Sequence, residues 1–244
     1  MIGRAIRMQA RSLAGDVVLL GVVAAAFLLS LSLAANVPAE LSRAPAAVRE
    51  AAGGPFGTVL ATYAAVLAAV YGSFRYTLDR RDGVIAQRLT MQPRWAMLVA
   101  RAPATAIGGA VVSLAALIGG HAALAVAMGG IPLDGTAVAS TLALGGLAAL
   151  WGLGVGIVVQ AHLAALFAVS FSMGAATLLA LFWSDGARYL PLLAMLAAFR
   201  FDLSAVGIAP GEGIDAALAW PVAAGWVLLA VLAGGVVFLR RDVR

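Results

Sequence analysis

The sequence contains no cysteine and no lysine, and it has only two histidines, His121 and His162. Without cysteine the chain can form no disulfide framework, no thiolate metal site and no cysteine nucleophile. The Walker A loop of P-loop ATPases needs a lysine to reach the phosphates, so this chain cannot be such an ATPase by itself. Two histidines are also too few for a multi-histidine metal site.

Charged residues are scarce as well. Only 11% of the residues are charged and 63% are hydrophobic, with a mean hydropathy of +1.01. A soluble protein carries about 45–50% apolar and roughly 25% charged residues, and disordered or coiled-coil sequences need still more polar residues. The composition therefore predicts an all-α integral membrane protein. The net charge of +5 does not indicate nucleic-acid binding, because the positions of the arginines explain it.

The stretches without charge set the number of membrane crossings. A helix needs about 20 apolar residues to cross the hydrocarbon core, within a range of roughly 17–25. Residues 135–184 carry no charge and suit two such helices, with a turn at Gln160 and His162. Residues 189–199 would rise only about 16 Å as a helix and are too short to cross. The sequence therefore predicts six spans, at about residues 17–35, 57–74, 102–128, 136–159, 163–183 and 217–239.

Arginine placement supports six spans, because loops that face the cytoplasm are enriched in basic residues. With the amino terminus inside, twelve arginines fall on the inner side and four on the outer side. The inner set is Arg4, Arg7, Arg11, Arg75, Arg80, Arg81, Arg88, Arg94, Arg101, Arg240, Arg241 and Arg244, and the outer set is Arg43, Arg49, Arg188 and Arg200. We therefore expect a multi-pass protein of the plasma (inner) membrane with both termini cytoplasmic.

Residues 1–13 are amphipathic. At about 100° per residue, basic and apolar side chains fall on opposite faces of a helix. The basic face holds Arg4, Arg7 and Arg11, and the apolar face holds Ile2, Ile6 and Leu13. This pattern favours a helix that lies in the membrane interface. A basic tail that only sets the orientation is the alternative.

Residues 75–101 form the one substantial inner loop in this topology, and they carry six of the sixteen arginines. The loop also contains apolar residues at helical spacing, such as Val84, Ile85 and Leu89. A segment that only connected two spans would have little use for them. The pattern predicts a short cytoplasmic helix, over residues 83–91, that ends before Pro93. Docking to another protein is one role for such a helix, and resting on anionic headgroups is the other.

At this loop the sequence resembles the ABC-2 type permeases of ABC exporters. Those proteins often carry a stretch reading Glu-x-Arg-x-Gly-Thr, then an apolar helix, a proline and a basic residue at the next span. Asp79, Arg81, Gly83, Pro93 and Arg101 stand here in that order. Two departures are the aspartate in place of glutamate and a valine in place of threonine. The resemblance extends to the interfacial helix, the six spans and an outer insertion before the last span.

The resemblance implies a membrane-spanning subunit of an ATP-driven exporter, not an enzyme by itself. Such subunits assemble as two permeases, identical or related, with two cytoplasmic ATPase subunits that bind ATP and magnesium, so this chain would bind no cofactor. The loop helix would couple ATP hydrolysis to transport. The coupling residues implied are Asp79, Arg81, Gly83, Val84, Ile85, Arg88, Leu89 and Pro93.

None of the six predicted spans holds a charged residue, which indicates an apolar or amphiphilic cargo such as a drug or antibiotic, a peptide or a lipid. In the family, the first, second and fifth spans line the cargo path. The matching residues are Phe27, Thr58, Thr62, Tyr63, Tyr71, Phe167, Phe171 and Thr177. Ordinary helix packing is the alternative role for each. Residues 184–215 would form a short re-entrant or interfacial outer segment, and the resemblance implies that it caps the outer end of the path as a gate.

Two other functions fit six spans. An intramembrane serine protease needs a serine activated by a histidine, and Ser170 and Ser172 lie in one span, although the glycine expected before the nucleophile is missing. A non-transporting scaffold or channel makes weak demands on sequence.

The sequence also predicts one close helix contact. Ala148, Gly152 and Gly156, spaced four apart, predict a stripe of small residues for close helix packing.

Overall fold

The computed structural model describes residues 2–129 and 134–240. It is 84% helical, and this part of the chain contains no β-strand. The helices are α1 (Ile2–Ala14), α2 (Val17–Leu31), α3 (Ala39–Ser42), α4 (Ala46–Arg81), α5 (Val84–Leu89), α6 (Arg94–Met128), α7 (Gly135–Val159), α8 (His162–Ala180), α9 (Ser184–Ala187), α10 (Pro191–Ala198) and α11 (Ala216–Arg240). Short 3-10 turns occupy Ser32–Asn36 and Leu203–Val206. The tail arginines Arg241 and Arg244, assigned above to the inner side, lie outside the described residues.

Five of these helices, α4, α6, α7, α8 and α11, are long and apolar enough to cross a membrane. The predicted all-α membrane architecture is confirmed at this level. The remaining predicted span corresponds to α2, which has 15 residues. It follows α1 at a bend of 50°, and the two together count as one further candidate span.

The ends of α4 and α6 that flank α5 extend well into the predicted 75–101 loop, so the non-helical connection is shorter than expected. α4 continues to Arg81 and α6 begins at Arg94. The helices continue past the predicted ends of the spans because a charged residue ends an apolar stretch without ending a helix, and arginine is a good helix former. With 36 residues, α4 is about 54 Å long and exceeds the roughly 30 Å of hydrocarbon.

α7 lies at the centre of the bundle and packs through small residues. A side chain added at Gly152 would overlap the backbone of Ala69 in α4, and one added at Gly156 would lie 2.9 Å from the Cα of Ser73. Ala148 is fully buried on the same face. The predicted small-residue stripe is confirmed, and it lets α4 and α7 approach at backbone contact.

α10 is buried on every side. All eight of its residues are buried, and it packs mainly against α11 and α8. A helix in the membrane interface would leave a polar face exposed, whereas a helix that is apolar all round belongs in a core. Residues 184–215 therefore contribute a buried helix to the bundle. α10 also fills the space between its neighbours at this end of the bundle.

Candidate functional site: a buried ionic network and a hydroxyl-lined groove

One side chain of the short helix α5, that of Ile85, is buried in the bundle. Gly83 precedes it with a φ of 72°, a left-handed conformation that glycine adopts without steric cost. This sharp turn folds α5 back so that Ile85 is fully buried beside Tyr76 and Met97. The helix covers Val84–Leu89, three residues shorter than the predicted 83–91 segment.

The other predicted coupling residues differ in exposure. Val84 and Leu89 are half-buried, whereas Arg81 and Pro93 are exposed. Apolar side chains near α5 are exposed too: Met91 is 69% and Trp95 48% exposed. The surface around α5 therefore combines basic and apolar side chains, as the sequence predicts for this loop.

Asp79 connects α5 to two long helices. It lies near the end of α4 and forms ion pairs with Arg101 of α6 and, at 3.7 Å, with Arg88 of α5. Arg101 is only 1% exposed, and its guanidinium group also lies 5.5 Å from the ring centre of Tyr76. A buried charge of this kind is tolerated only when it is paired. Asp79 is therefore the partner that holds Arg101 in place.

Arg75 connects α4 to both sides of the bend between α1 and α2. Its Nε lies 3.3 Å from Asp16 in the bend, and its Nη2 donates to Gln9 at 3.3 Å and to Ser12 at 3.1 Å, both in α1. Asp16 also caps α2, because its Oδ1 accepts a hydrogen bond of 3.1 Å from the backbone N–H of Leu19. Arg75 is 4% exposed. One side chain thus fixes the geometry of the whole bend.

The two sets of contacts are joined in the interior. Arg101 donates a 2.7 Å hydrogen bond to the backbone carbonyl of Arg75, and Tyr71 donates to Asp16 at 3.3 Å. We call the group of Asp16, Arg75, Asp79, Arg88 and Arg101 the ionic network. It makes a continuous set of polar contacts from α5, through α4 and α6, to the bend between α1 and α2.

Sequence reasoning missed the roles of Asp16 and Arg75 in this network. Both flank apolar stretches, where the sequence pattern predicts the end of a span and no charge within it. In the structure Arg75 and Arg101 lie inside α4 and α6 and are buried. One signal was available, since an aspartate directly before an apolar helix is typical of an N-cap. Its pairing with Arg75 is a long-range contact that no local pattern encodes.

A second site lies on the surface where α2, α4 and α8 meet. A groove of about 400 Å³ opens there. Three of the predicted cargo-path residues, Thr62, Tyr63 and Thr177, line it together. The other lining residues are Leu29, Ser32, Val66, Leu67 and Gly174. We call it the hydroxyl groove, because four of the eight lining residues carry a hydroxyl and none carries a charge.

The remaining predicted path residues lie elsewhere. Tyr71 is fully buried and belongs with the ionic network, and Thr58 is buried in α4 with its hydroxyl donating to the carbonyl of Gly54 at 3.3 Å. Phe27 lies where α2 packs against α6. Phe167 and Phe171, 70% and 75% exposed, lie together on the outward face of α8. The eight residues therefore do not form one continuous lining within this chain.

The two histidines have partners other than serine. His121 contacts the carbonyl of Leu117 at 2.9 Å, and His162 contacts the hydroxyl of Thr77 at 3.0 Å. Within the described ranges, neither Ser170 nor Ser172 pairs with a histidine, so the geometry of a serine protease is not assembled there. No protein-family model and no curated protein matches the chain. The function is therefore inferred from the geometry of the two sites.

Proposed function

We propose that this chain is the membrane-spanning subunit of an ATP-driven ABC exporter. It moves an apolar or amphiphilic cargo (a drug or antibiotic, a peptide or a lipid) outward by alternating access, and a separate ATPase supplies the energy. The ionic network carries the proposal, because it joins the one short helix in the predicted inner loop to several long helices. The resemblance of residues 79–101 to ABC-2 permeases agrees with it.

The network gives a physical route for coupling. A force on α5 acts on the bundle at two points, the buried side chain of Ile85 and the ion pair of Arg88 with Asp79. Asp79 and Arg101 pass the displacement to α4 and α6, and Arg75 passes it to the bend before α2. Closure of an ATPase dimer against α5 would then tilt these helices together, as in other rigid-body transitions.

In this proposal the chain crosses the plasma (inner) membrane six times, with α2 as the first span and both termini in the cytoplasm. The 12-to-4 distribution of arginines supports this orientation. The exposed surface of α5, with Met91 and Trp95 beside it, is where the ATPase binds. α1, which is bent by 50° from α2, lies in the interface of the inner leaflet.

The cargo path lies at the surface of the subunit. Most of the buried apolar residues of the bundle, including those of α10, form one packed cluster. A path through the middle of one copy would have to break that packing, whereas the hydroxyl groove is already open. A second permease, identical or related, would complete the path from the other side. The assembly thus contains two permeases and two ATPases, with ATP and magnesium bound only by the ATPases.

Purification from the native membrane, followed by identification of the copurifying chains, tests this proposal. We expect a stoichiometric ATPase partner, and its absence would instead support a scaffold or channel. In the reconstituted complex, Gly83→Pro and Arg88→Glu should each leave ATP hydrolysis running while transport is lost. Arg43→Glu, a charge reversal at an exposed site far from α5, serves as the control and should leave both activities intact. Full transport by both loop variants would contradict the coupling role of α5.

A further inference from the structure

The hydroxyl groove presents oxygen atoms whose protons are already in use. The side chains of Thr62, Thr177 and Ser32 each donate to a backbone carbonyl three or four residues earlier in the chain, at 2.8, 2.8 and 2.6 Å. A hydroxyl group has one proton to donate and two lone pairs to accept with. Since the proton is committed, each of these groups is left as a hydrogen-bond acceptor.

Tyr63 adds a group that can both donate and accept. Its side chain is 40% exposed, and it has no hydrogen-bond partner among the described residues. The rest of the lining is apolar, with Leu29, Val66 and Leu67 as its largest members. The polarity of the groove is therefore mainly that of an acceptor surface without charge.

We propose that the hydroxyl groove binds an uncharged amphiphile that carries O–H or N–H donors on an apolar body. A charged molecule finds no countercharge there, and an unpaired charge within a membrane is expensive. A molecule that carries only hydrogen-bond acceptors would place its lone pairs against those of three hydroxyls whose protons are already donated elsewhere. A donor-bearing molecule satisfies its protons, which would otherwise remain unpaired in a medium without water.

The size of the groove agrees with this class of molecule. A volume of about 400 Å³ lies within the roughly 300–1,000 Å³ usual for small-molecule sites. The groove opens at the surface of the bundle, so a ligand can enter from the bilayer. Only the identification of this molecule as the cargo rests on the proposed function, because the binding chemistry follows from the groove itself.

The test uses the purified chain in nanodiscs of phosphatidylcholine, whose headgroup has no hydrogen-bond donor to compete. Two probes are compared by equilibrium binding, radiolabelled monooleoylglycerol and its di-O-methyl ether, which keeps the body and removes both donors. We expect the ether to bind roughly tenfold more weakly, the effect of two lost hydrogen bonds. Equal affinities, or tighter binding of the ether, would overturn the inference.

Variants locate the effect. The double substitution Thr62→Val and Thr177→Val removes two acceptors at nearly constant volume, and it should reduce the preference for the donor-bearing probe to about twofold or less. Tyr63→Phe keeps the ring and should lower the preference by about two- to threefold. Thr141→Val is the matched control, since Thr141 makes the same kind of hydroxyl bond, 2.8 Å to the carbonyl of Ala137, in α7. An unchanged preference in the double variant would place the probe elsewhere and refute the inference.

Failure of this inference can be distinguished from failure of the exporter proposal, because the binding measurement needs no ATPase. A donor preference in the isolated chain without any copurifying ATPase supports the groove and contradicts the exporter. If an ATPase copurifies but the chain shows no preference for the donor-bearing probe, the result supports the exporter and contradicts the groove. If a second copy of the chain covers the groove, neither probe binds the wild-type chain, and that outcome also overturns the inference.

Discussion

The ionic network and the hydroxyl groove use polar groups in opposite ways. In the network, each side chain bonds to a different helix: Arg75 to the α1–α2 bend, Arg101 to α4. In the groove, three of the four hydroxyls bond only within their own segment. The helices at the network are therefore held to one another by specific bonds, whereas at the groove itself the described residues show no side-chain hydrogen bond from one helix to another.

The contrast indicates which part of the bundle can move. His162, at the start of α8, contacts Thr77 of α4 at 3.0 Å and lies against Phe74 with 4.2 Å between ring centres. Near the other end of α8, at Thr177, no polar side-chain contact between α4 and α8 is found in the described residues. α8 can thus separate from α4 at the groove without breaking a side-chain hydrogen bond, while its first turn stays attached.

The largest expected effect comes from breaking the network at its most buried residue. Arg101→Leu leaves Asp79 with only the more distant Arg88 and removes the bond to the carbonyl of Arg75. Removing one partner of a buried ion pair typically costs about 3–5 kcal/mol. We expect a loss of unfolding free energy of that size, measured by denaturant titration in nanodiscs. Arg81→Leu, at an exposed position of α4, is the control and should change the unfolding free energy by less than about 0.5 kcal/mol. Equal losses in the two variants would show that the ionic network does not stabilise the fold.

An intermediate effect is expected at the bend. Asp16→Asn removes the charge that pairs with Arg75 but keeps an oxygen able to cap α2, because asparagine caps helices about as well as aspartate. The loss should be about 1–3 kcal/mol, the cost of leaving one buried charge-assisted bond incomplete. Asp16→Ala removes the cap as well and should cost about 1 kcal/mol more. If Asp16→Asn has no effect on the unfolding midpoint, Arg75 does not fix the bend through this ion pair.

The smallest effect is expected in the groove. Thr177→Val removes a hydroxyl whose one bond among the described residues is to the carbonyl of Gly174 in the same helix. Such internal bonds contribute little to helix stability, so the unfolding free energy should change by less than about 0.5 kcal/mol. A loss above about 1 kcal/mol would show that this hydroxyl also holds α8 to its neighbours, and the contrast between the two sites would fail.

Several features of the fold could be predicted from local sequence. Gly83 and Pro93 marked the two ends of the segment that holds α5, because glycine permits a left-handed turn and proline disfavours a preceding helix. The stripe of Ala148, Gly152 and Gly156 predicted close packing of α7. In each case the physical cause acts within a few residues, so the pattern itself contains the information.

The functional sites could be predicted only in part. Asp79 and Arg88 were named as coupling residues, and Thr62, Tyr63 and Thr177 as path residues, but nothing in the sequence joined Arg75 to Asp16. The path residues Phe167 and Phe171 share the helix of Thr177, yet they lie on a different surface. Which face of a helix meets which neighbour depends on the packing of the whole bundle.

The sequence alone predicted a helical membrane protein. Charge is scarce and the apolar stretches are long, and within a membrane the backbone polar groups of such stretches are satisfied in helices. The sequence also predicts that the arginines lie mainly on the cytoplasmic side. Only the tertiary structure decided that Arg75 and Arg101 lie inside the bundle, that α10 is buried all round, and that four hydroxyls meet at one groove. These features arise from contacts between segments far apart in the chain, where burial and pairing, rather than the residue type, set the role of each side chain.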